Sequence, residues 1–271
     1  MSMTGDWKLW LDVAREAARQ AAEVLQRWRA HFSVREKAFN DLVTEADLAA
    51  QETIRRILYN RLPDIAFLGE ESPATPGLAS ELCWVVDPLD GTTNYVHGLP
   101  CYAISIGLIQ HGMPVLGVIH DPLRQETFSA VRGQGAWLDD IPIRVSNCHH
   151  LQDALLVTGF PTDCRGKEYV FAAWRALALR SQAVRRIGCT SLNLAWLAAG
   201  RADGCWSYEI HPWDVCAGIC LVEQAGGRVS TPDGRPYTLD HRDFVASNGC
   251  IHDAILEVLR ECGGWHNNNG A

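Results

Sequence analysis

The sequence predicts a mixed α/β fold, built as an α+β first half (residues 1–147) and an α/β second half (residues 148–271). Three observations carry that expectation. Helix-period apolar residues open the chain, and short apolar runs separated by turn dipeptides follow as far as Val145. Beyond that, runs of strand length alternate with longer amphipathic stretches.

The elements follow in order. Trp10, Leu11, Ala14, Ala18, Ala21, Leu25 and Trp28 recur at helical spacing with Arg and Glu between them, which predicts one long amphipathic helix. A second helix is expected from near Thr44 to about Leu62, where Pro63 stops it. Runs at Ile65–Leu68, Cys83–Val86, Ala103–Ile109, Pro114–His120, Glu126–Val131 and Ile141–Val145 read as strands of an antiparallel meander. Turn signals at His111-Gly112, Asp121-Pro122, Gly133–Gly135 and Asp139-Asp140 divide them. In the second half, strands are expected at Leu155–Thr158, Ala183–Ile187, Gly204–Tyr208 and Phe244–Ser247. Helices are expected at Lys167–Arg180, Ser191–Ala199, Trp213–Ala225 and Ile251–Cys262, with a hairpin signal at Pro232-Asp233-Gly234. Asn267–Gly270 reads as a frayed end.

Composition narrows the function. Of the 271 residues, 47% are hydrophobic and 21% charged, enough apolar material for a sizeable core and too much for a disordered chain. The net charge of −8 lacks the footprint of a general nucleic-acid binder, so an anionic substrate would need a local source of positive charge such as a metal ion. The ten cysteines include no C-x-x-C pair and no zinc spacing. With a polar opening and no apolar run of membrane length, the expectation is a cytoplasmic protein with reduced thiols.

The densest chemical signal is Trp84-Val-Val-Asp87-Pro88-Leu89-Asp90-Gly91-Thr92-Thr93-Asn94, an apolar strand running into two carboxylates. Asp-Gly alone is an ordinary turn. Two Asp at the end of a buried strand repel one another unless a cation lies between them, and carboxylate and carbonyl oxygens are what Mg²⁺ prefers. Further carboxylates stand at Glu70 and Glu71, at Asp47 and at Asp214. Each has an ordinary reading too: an acidic loop for the glutamates, a Thr44-x-x-Asp47 capping arrangement, and an acidic helix start at Trp213-Asp214.

Taken together, these motifs resemble the inositol monophosphatase family of metal-dependent phosphatases. Trp84-Val-Val-Asp87-Pro88-Leu89-Asp90-Gly91-Thr92-Thr93-Asn94-Tyr95-Val96-His97 stands as its first signature, and Trp213-Asp214-Val-Cys216-Ala217-Gly218 with Glu223-Gln224-Ala225-Gly226-Gly227 as its second. Val43-Thr44-Glu45-Ala46-Asp47 and Gly69-Glu70-Glu71-Ser72 match upstream elements, and order and spacing agree from about Lys37 to Val258.

The resemblance implies a layered αβαβα sandwich, two to three Mg²⁺ ions, lithium sensitivity and a homodimer. Carried over by position, Glu70, Asp87 and the Leu89 carbonyl would hold one ion, and Asp87, Asp90 and Asp214 a second, with a weaker third near Glu70. The attacking water would lie beside Glu70 and Thr92, with Asp47 orienting Thr92, and the Asp90-Gly91-Thr92 backbone would receive phosphate.

Substrate contacts would come from Gly188, Cys189 and Thr190, which read equally as a helix entry, and from Asp214. Where inositol-hydrolysing members carry a Glu before the Trp-Asp pair, this chain has Ser207. Glu209 lies two residues on, on the same face if the strand continues. The expected substrate is therefore a small phosphorylated polyol, inositol-1-phosphate first and histidinol phosphate second, with sugar and nucleotide phosphates lower. A different class, a binding factor for transcription machinery, would use Arg185-Arg186, a pair that reads equally as a solvated face or subunit contact. His97 and His211 receive no catalytic role.

Overall fold

The computed structural model describes residues 6–29, 32–38, 41–72 and 80–263. The readings made at residues 1–5 and at Asn267–Gly270 lie outside them.

Helix α1 (Trp7–Trp28) buries Ala14, Ala17, Ala18 and Ala21, whose small side chains let it lie close to α2 (Glu45–Arg61). Between them β1 (Val34–Ala38) and β2 (Asp41–Thr44) form an antiparallel hairpin. The next strands are β3 (Ala66–Gly69) and β4 (Leu82–Asp90), then the short helix α3 (Thr92–Val96). Strands β5 (Ala103–Gln110), β6 (Met113–Asp121), β7 (Glu126–Val131), β8 (Gly135–Leu138) and β9 (Ile141–Pro142) complete a seven-stranded sheet in chain order β3 to β9. Every neighbouring pair is antiparallel except β3–β4.

The second half runs β10 (Leu155–Thr158), α4 (Glu168–Ala178), β11 (Ala183–Arg186), α5 (Thr190–Ala198), β12 (Gly204–Ser207), α6 (Pro212–Gln224), β13 (Arg228–Ser230), β14 (Phe244–Ser247) and α7 (His252–Glu261). Its five strands are ordered β11-β10-β12-β14-β13, parallel about β10 and antiparallel about β14. The packing partners define five layers: α1 and α2, the seven-stranded sheet, α5 and α6, the five-stranded sheet, then α4 and α7. This is the αβαβα sandwich that the resemblance implied.

The middle helical layer brings the halves together. Leu68, Val85 and Ile119 share one apolar cluster with Leu192, Ala217 and Phe244. Glycine makes the approach possible: a Cβ at Gly107 would collide with Cys216, and one at Gly117 with the backbone of Ala217, so β5 and β6 meet α6 almost backbone to helix.

Two sequence readings are corrected. Ile143–Val145 is not strand, because the run leaves the sheet after Pro142 and the Val145 amide donates to Ala225 O at the end of α6. The Gly133–Gly135 turn is tighter than expected, so Gly135 already begins β8, an element hidden by its Gly-Ala start. The β1–β2 hairpin also went unread, its charged Val34-Arg-Glu-Lys-Ala38 run lacking apolar alternation.

Buried His252, at the start of α7, has its hydrogen bonds fully assignable. Ser230 Oγ donates to Thr231 O and so accepts from His252 Nε2 at 2.9 Å; in the neutral ring Nδ1 then accepts from Ser247 Oγ at 2.9 Å, the hydroxyl that also accepts the Gly249 amide. The ring is neutral, and burial first, then Arg228, pushes its pKa down to about 4. A histidine depressed in the folded state contributes stability that is whole above its unfolded pKa and lost as pH falls through about 6.5 toward 4, on the order of 3 kcal/mol. Urea unfolding of wild type and His252→Gln at pH 7 and pH 4.5 tests this. The variant should lose distinctly less stability between the two, and equal losses would show that His252 carries no linked proton.

Candidate active site

The candidate residues gather at the end of β4 because that strand breaks its own register. Asp87 pairs with Ser105 but Asp90 with Ala103, so β4 holds an extra residue there. In regular strand geometry, side chains three apart face opposite ways; the bulge reverses that parity and lets Asp87 and Asp90 serve one side. Pro88, with no N–H to lose, fits a bulge. Gly91 then turns the chain into α3 at φ +95°, where a Cβ would stand 2.9 Å from Cys101 O.

Three other segments converge. Glu70 follows β3, and its amide donates to Val86 O at 3.1 Å, which carries it alongside Asp87. Asp214 sits in the first turn of α6, where its Oδ2 accepts the His211 amide at 2.7 Å. Asp47 divides its two oxygens: Oδ2 accepts Thr44 N at 2.9 Å and Thr44 Oγ1 at 2.6 Å, while Oδ1 accepts the Thr92 hydroxyl at 3.1 Å. The capping reading and the functional reading of Asp47 therefore hold together, one per oxygen. Burial raises the Asp47 pKa against these hydrogen bonds.

The other carboxylates are raised too, Asp87 by burial and then by Glu70, Asp90 and Asp214, and Asp214 by burial and then Asp90. Burial also raises Asp90, while the Ser191 amide, donating to its Oδ2 at 2.5 Å, stabilises the anion. Arg242 offsets Asp214 only weakly. Among the described residues no three His, Cys, Asp or Glu side chains form a closed ligand cage. The donor set, all oxygen, anionic and mutually repelling, fits a hard divalent cation that keeps water or substrate oxygens in its shell.

These groups open into a cavity of about 780 Å³ that Glu70, Asp90, Gly91, Thr92 and Asp214 line. Gly188, Cys189, Thr190, Ser207 and Glu209 line it from the second half. The Cys189 thiol bonds Asp90, so the Gly188–Thr190 turn is both helix entry and cavity wall. Ser207 is buried at the end of β12. Glu209 corrects the strand-face expectation: β12 ends at Ser207 and Glu209 takes φ +52°, so alternation does not reach it. Its carboxylate meets Lys167 Nζ at 2.6 Å and the Tyr169 hydroxyl at 3.1 Å.

Sequence reasoning gave no part in this cavity to Asn94, Phe160, Arg186 or Arg242, all on its lining. Asn94 was visible within its motif but had no stated task. The other three carry no local signal, since only the fold turns them toward one space.

The model of the inositol monophosphatase family matches residues 6–263. An inositol-1-monophosphatase of Synechocystis is 40% identical over 96% of this chain and 92% of its own, and the Nus factor SuhB of Pseudomonas aeruginosa is 40% identical over 92% and 95%. The solved inositol monophosphatase from Anabaena superposes with a TM-score of 0.86 at 38% identity, covering 95% of this chain and 97% of that one. A five-layered fold and a cavity floored by carboxylates thus meet a match over nearly the whole chain: it belongs to the inositol monophosphatase family, phosphatases that hydrolyse phosphate monoesters.

Proposed function

We propose that this chain is a Mg²⁺-dependent phosphatase of small phosphorylated polyols, with inositol-1-phosphate as first candidate. The observation that carries the reading is the group of mutually repelling carboxylates at the cavity floor, Glu70, Asp90 and Asp214, and buried behind it, Asp87, beside the Thr92–Asp47 pair. Glu70, Asp87 and the Leu89 carbonyl would hold one ion, Asp87, Asp90 and Asp214 a second, and Glu70 would share in a third. Bound there, the ions supply Lewis acidity toward phosphoryl oxygens and a more acidic water.

The chain's own residues do the positioning. Thr92 donates its hydroxyl proton to Asp47 or, also at 3.1 Å, to Leu89 O, which leaves its oxygen lone pairs to accept from the attacking water. Glu70 would accept the same water's other proton. The Asp90-Gly91-Thr92 backbone would orient phosphate, and Gly188, Cys189, Thr190 and Ser207 would border the leaving group.

Histidinol phosphate ranks second: its amine would look for a carboxylate on the cavity wall, and the one there, Glu209, is engaged by Lys167. Cytoplasmic residence, lithium sensitivity and a homodimer belong to the same proposal, and exposed Phe171, Trp174 and Leu179 offer apolar surface for the last. No described helix is long and apolar enough to cross a membrane.

The test is phosphate release with Mg²⁺, with and without chelator, from inositol-1-phosphate, histidinol phosphate, fructose-1,6-bisphosphate and 3′-phosphoadenosine-5′-phosphate. Chelator-sensitive release from inositol-1-phosphate is expected. No release from any of them by folded protein would overturn the reading and direct attention to a binding role through exposed Arg185 and Arg186 on edge strand β11.

A further inference from the structure

We infer that the outer wall of the cavity is an anion subsite, so that of two esters alike in shape the one carrying a second negative group, a carboxylate or a phosphate, at the far end of its leaving group is favoured. The inference rests on the proposed phosphatase site and concerns a part of it that the chemistry at phosphorus does not use.

Among the described residues, the charged side chains that line the cavity outside the carboxylate floor are Arg186, Arg242 and Glu209. Glu209 faces a cation of its own, Lys167 Nζ at 2.6 Å, and receives the Tyr169 hydroxyl at 3.1 Å. Its amide donates to Asp243, so it is held from both ends. A carboxylate so engaged neither attracts an ammonium group strongly nor repels an anion strongly.

The two arginines are arranged differently. The Arg186 guanidinium lies over the Phe160 ring, 5.1 Å from its centroid, and Phe160 is braced edge-on by Phe171 at 5.7 Å. A cation–π contact of this kind engages the ring's π face and takes up no N–H donor, so the guanidinium keeps its donors for a carboxylate or phosphate. Arg242 comes from the loop before β14 and is tethered by one nitrogen, Nη2, which donates to Glu209 O at 3.1 Å. A tether through a neutral carbonyl adds no counter-charge, and the one carboxylate it offsets, Asp214, it offsets only weakly. Phe160 follows β10 and Arg186 ends β11, neighbouring strands of one sheet, so the stacked pair sits on a rigid edge.

Size points the same way. A cavity of about 780 Å³ falls well within the range that encloses drug-sized ligands and exceeds the needs of a single polyol ring bearing one phosphate. Ser207, a small buried side chain on the wall, leaves that depth unfilled.

The experiment compares two esters that differ at one carbon. Glucitol 6-phosphate and 6-phosphogluconate share a six-carbon hydroxylated chain and a terminal phosphate, and at the far end one has CH₂OH where the other has carboxylate. With Mg²⁺ at low ionic strength, kcat/KM should favour 6-phosphogluconate about fivefold, the scale of an exposed charge pair. The preference should shrink as salt is added, because the subsite is open to solvent. Arg186→Gln and Arg242→Gln should each bring the ratio of the two kcat/KM values toward one. Lys167→Met, by releasing the Glu209 charge, should push it below the wild-type value. Glucitol 1,6-bisphosphate, as a third substrate, tells a carboxylate from a phosphate as the preferred group. Equal efficiency with both monophosphates, or a preference that survives both arginine substitutions, overturns the subsite alone. Failure to release phosphate from these or any other monoester overturns the site reading beneath it.

Discussion

Asp87→Asn is expected to reduce kcat/KM at least about a thousandfold, the scale of losing a charge-stabilising group at a reacting centre, and at the same time to raise the stability of the metal-free protein. The two effects share one cause. Asp87 is buried, and Glu70, Asp90 and Asp214 each make its ionised form harder to keep. Without a cation the site stores that repulsion; a neutral amide relieves it, by about 1 to 2 kcal/mol. Asn retains an oxygen to accept the Leu89 amide, which Asp87 Oδ1 accepts at 2.9 Å, so the turn survives. Thermal unfolding in chelator should show the variant melting several degrees above wild type, and added Mg²⁺ should reverse the order because wild type gains more from binding it. Asp90→Asn should also abolish turnover, but with a smaller gain in chelator, since the Ser191 amide and the Cys189 thiol both donate to Asp90 and an amide nitrogen cannot accept them. A chelated Asp87→Asn protein less stable than chelated wild type, or one with near-normal activity, would refute the cation site.

What the sequence allowed to be read follows from how far each signal travels along the chain. Strands β4 to β7 and helices α1, α2 and α5 to α7 were legible because burial writes an unbroken apolar run or a helical period into consecutive residues. The carboxylates were legible as types, but not the means of their convergence: the bulge that puts Asp87 and Asp90 on one side leaves no mark beyond Pro88. Asp47 was read as a choice between cap and catalytic helper, and a carboxylate with two oxygens does not have to choose. Glu209 shows the opposite limit. Its distance from Ser207 suggested a strand face, yet its partner Lys167 is far away in sequence and its backbone is left-handed, so neither its direction nor its partner followed from spacing. Arg186 read as half of a pair that could be a binding contact, a solvated face or a subunit contact, and it is exposed; that its guanidinium lies over Phe160 is a fact of the β10–β11 pairing alone.

Asn94 is expected to be the residue that fixes the floor of the site to its wall, and its substitution should cost both stability and rate. Its Nδ2 stands 2.6 Å from Cys101 O, 2.9 Å from Ile187 O and 3.3 Å from Gly188 O. An atom ringed by carbonyl oxygens must be the amide nitrogen, and its two hydrogens satisfy the nearer pair. The segment after Asp90 is thereby joined to the turn whose next residues, Cys189 and Ser191, bond Asp90 itself, so the two loops are tied twice. Asn94→Leu removes one tie and strands buried carbonyls, at about 2 to 3 kcal/mol, while Asp90 keeps the other. Looser placement of Asp90 against the Gly188 turn should appear mainly in kcat, by roughly 10- to 100-fold, with KM changing less. Asn94→Asp has nearly the same shape, so packing alone would rank it milder. Electrostatics ranks it worse, because a carboxylate would face the oxygens that the amide now serves. Urea unfolding at pH 7 should therefore place Asn94→Asp below Asn94→Leu. The reverse order would mean that Asn94 acts through its volume, and a folded Asn94→Leu protein with wild-type kcat would mean that the tie to Asp90 alone suffices to hold the two loops in register.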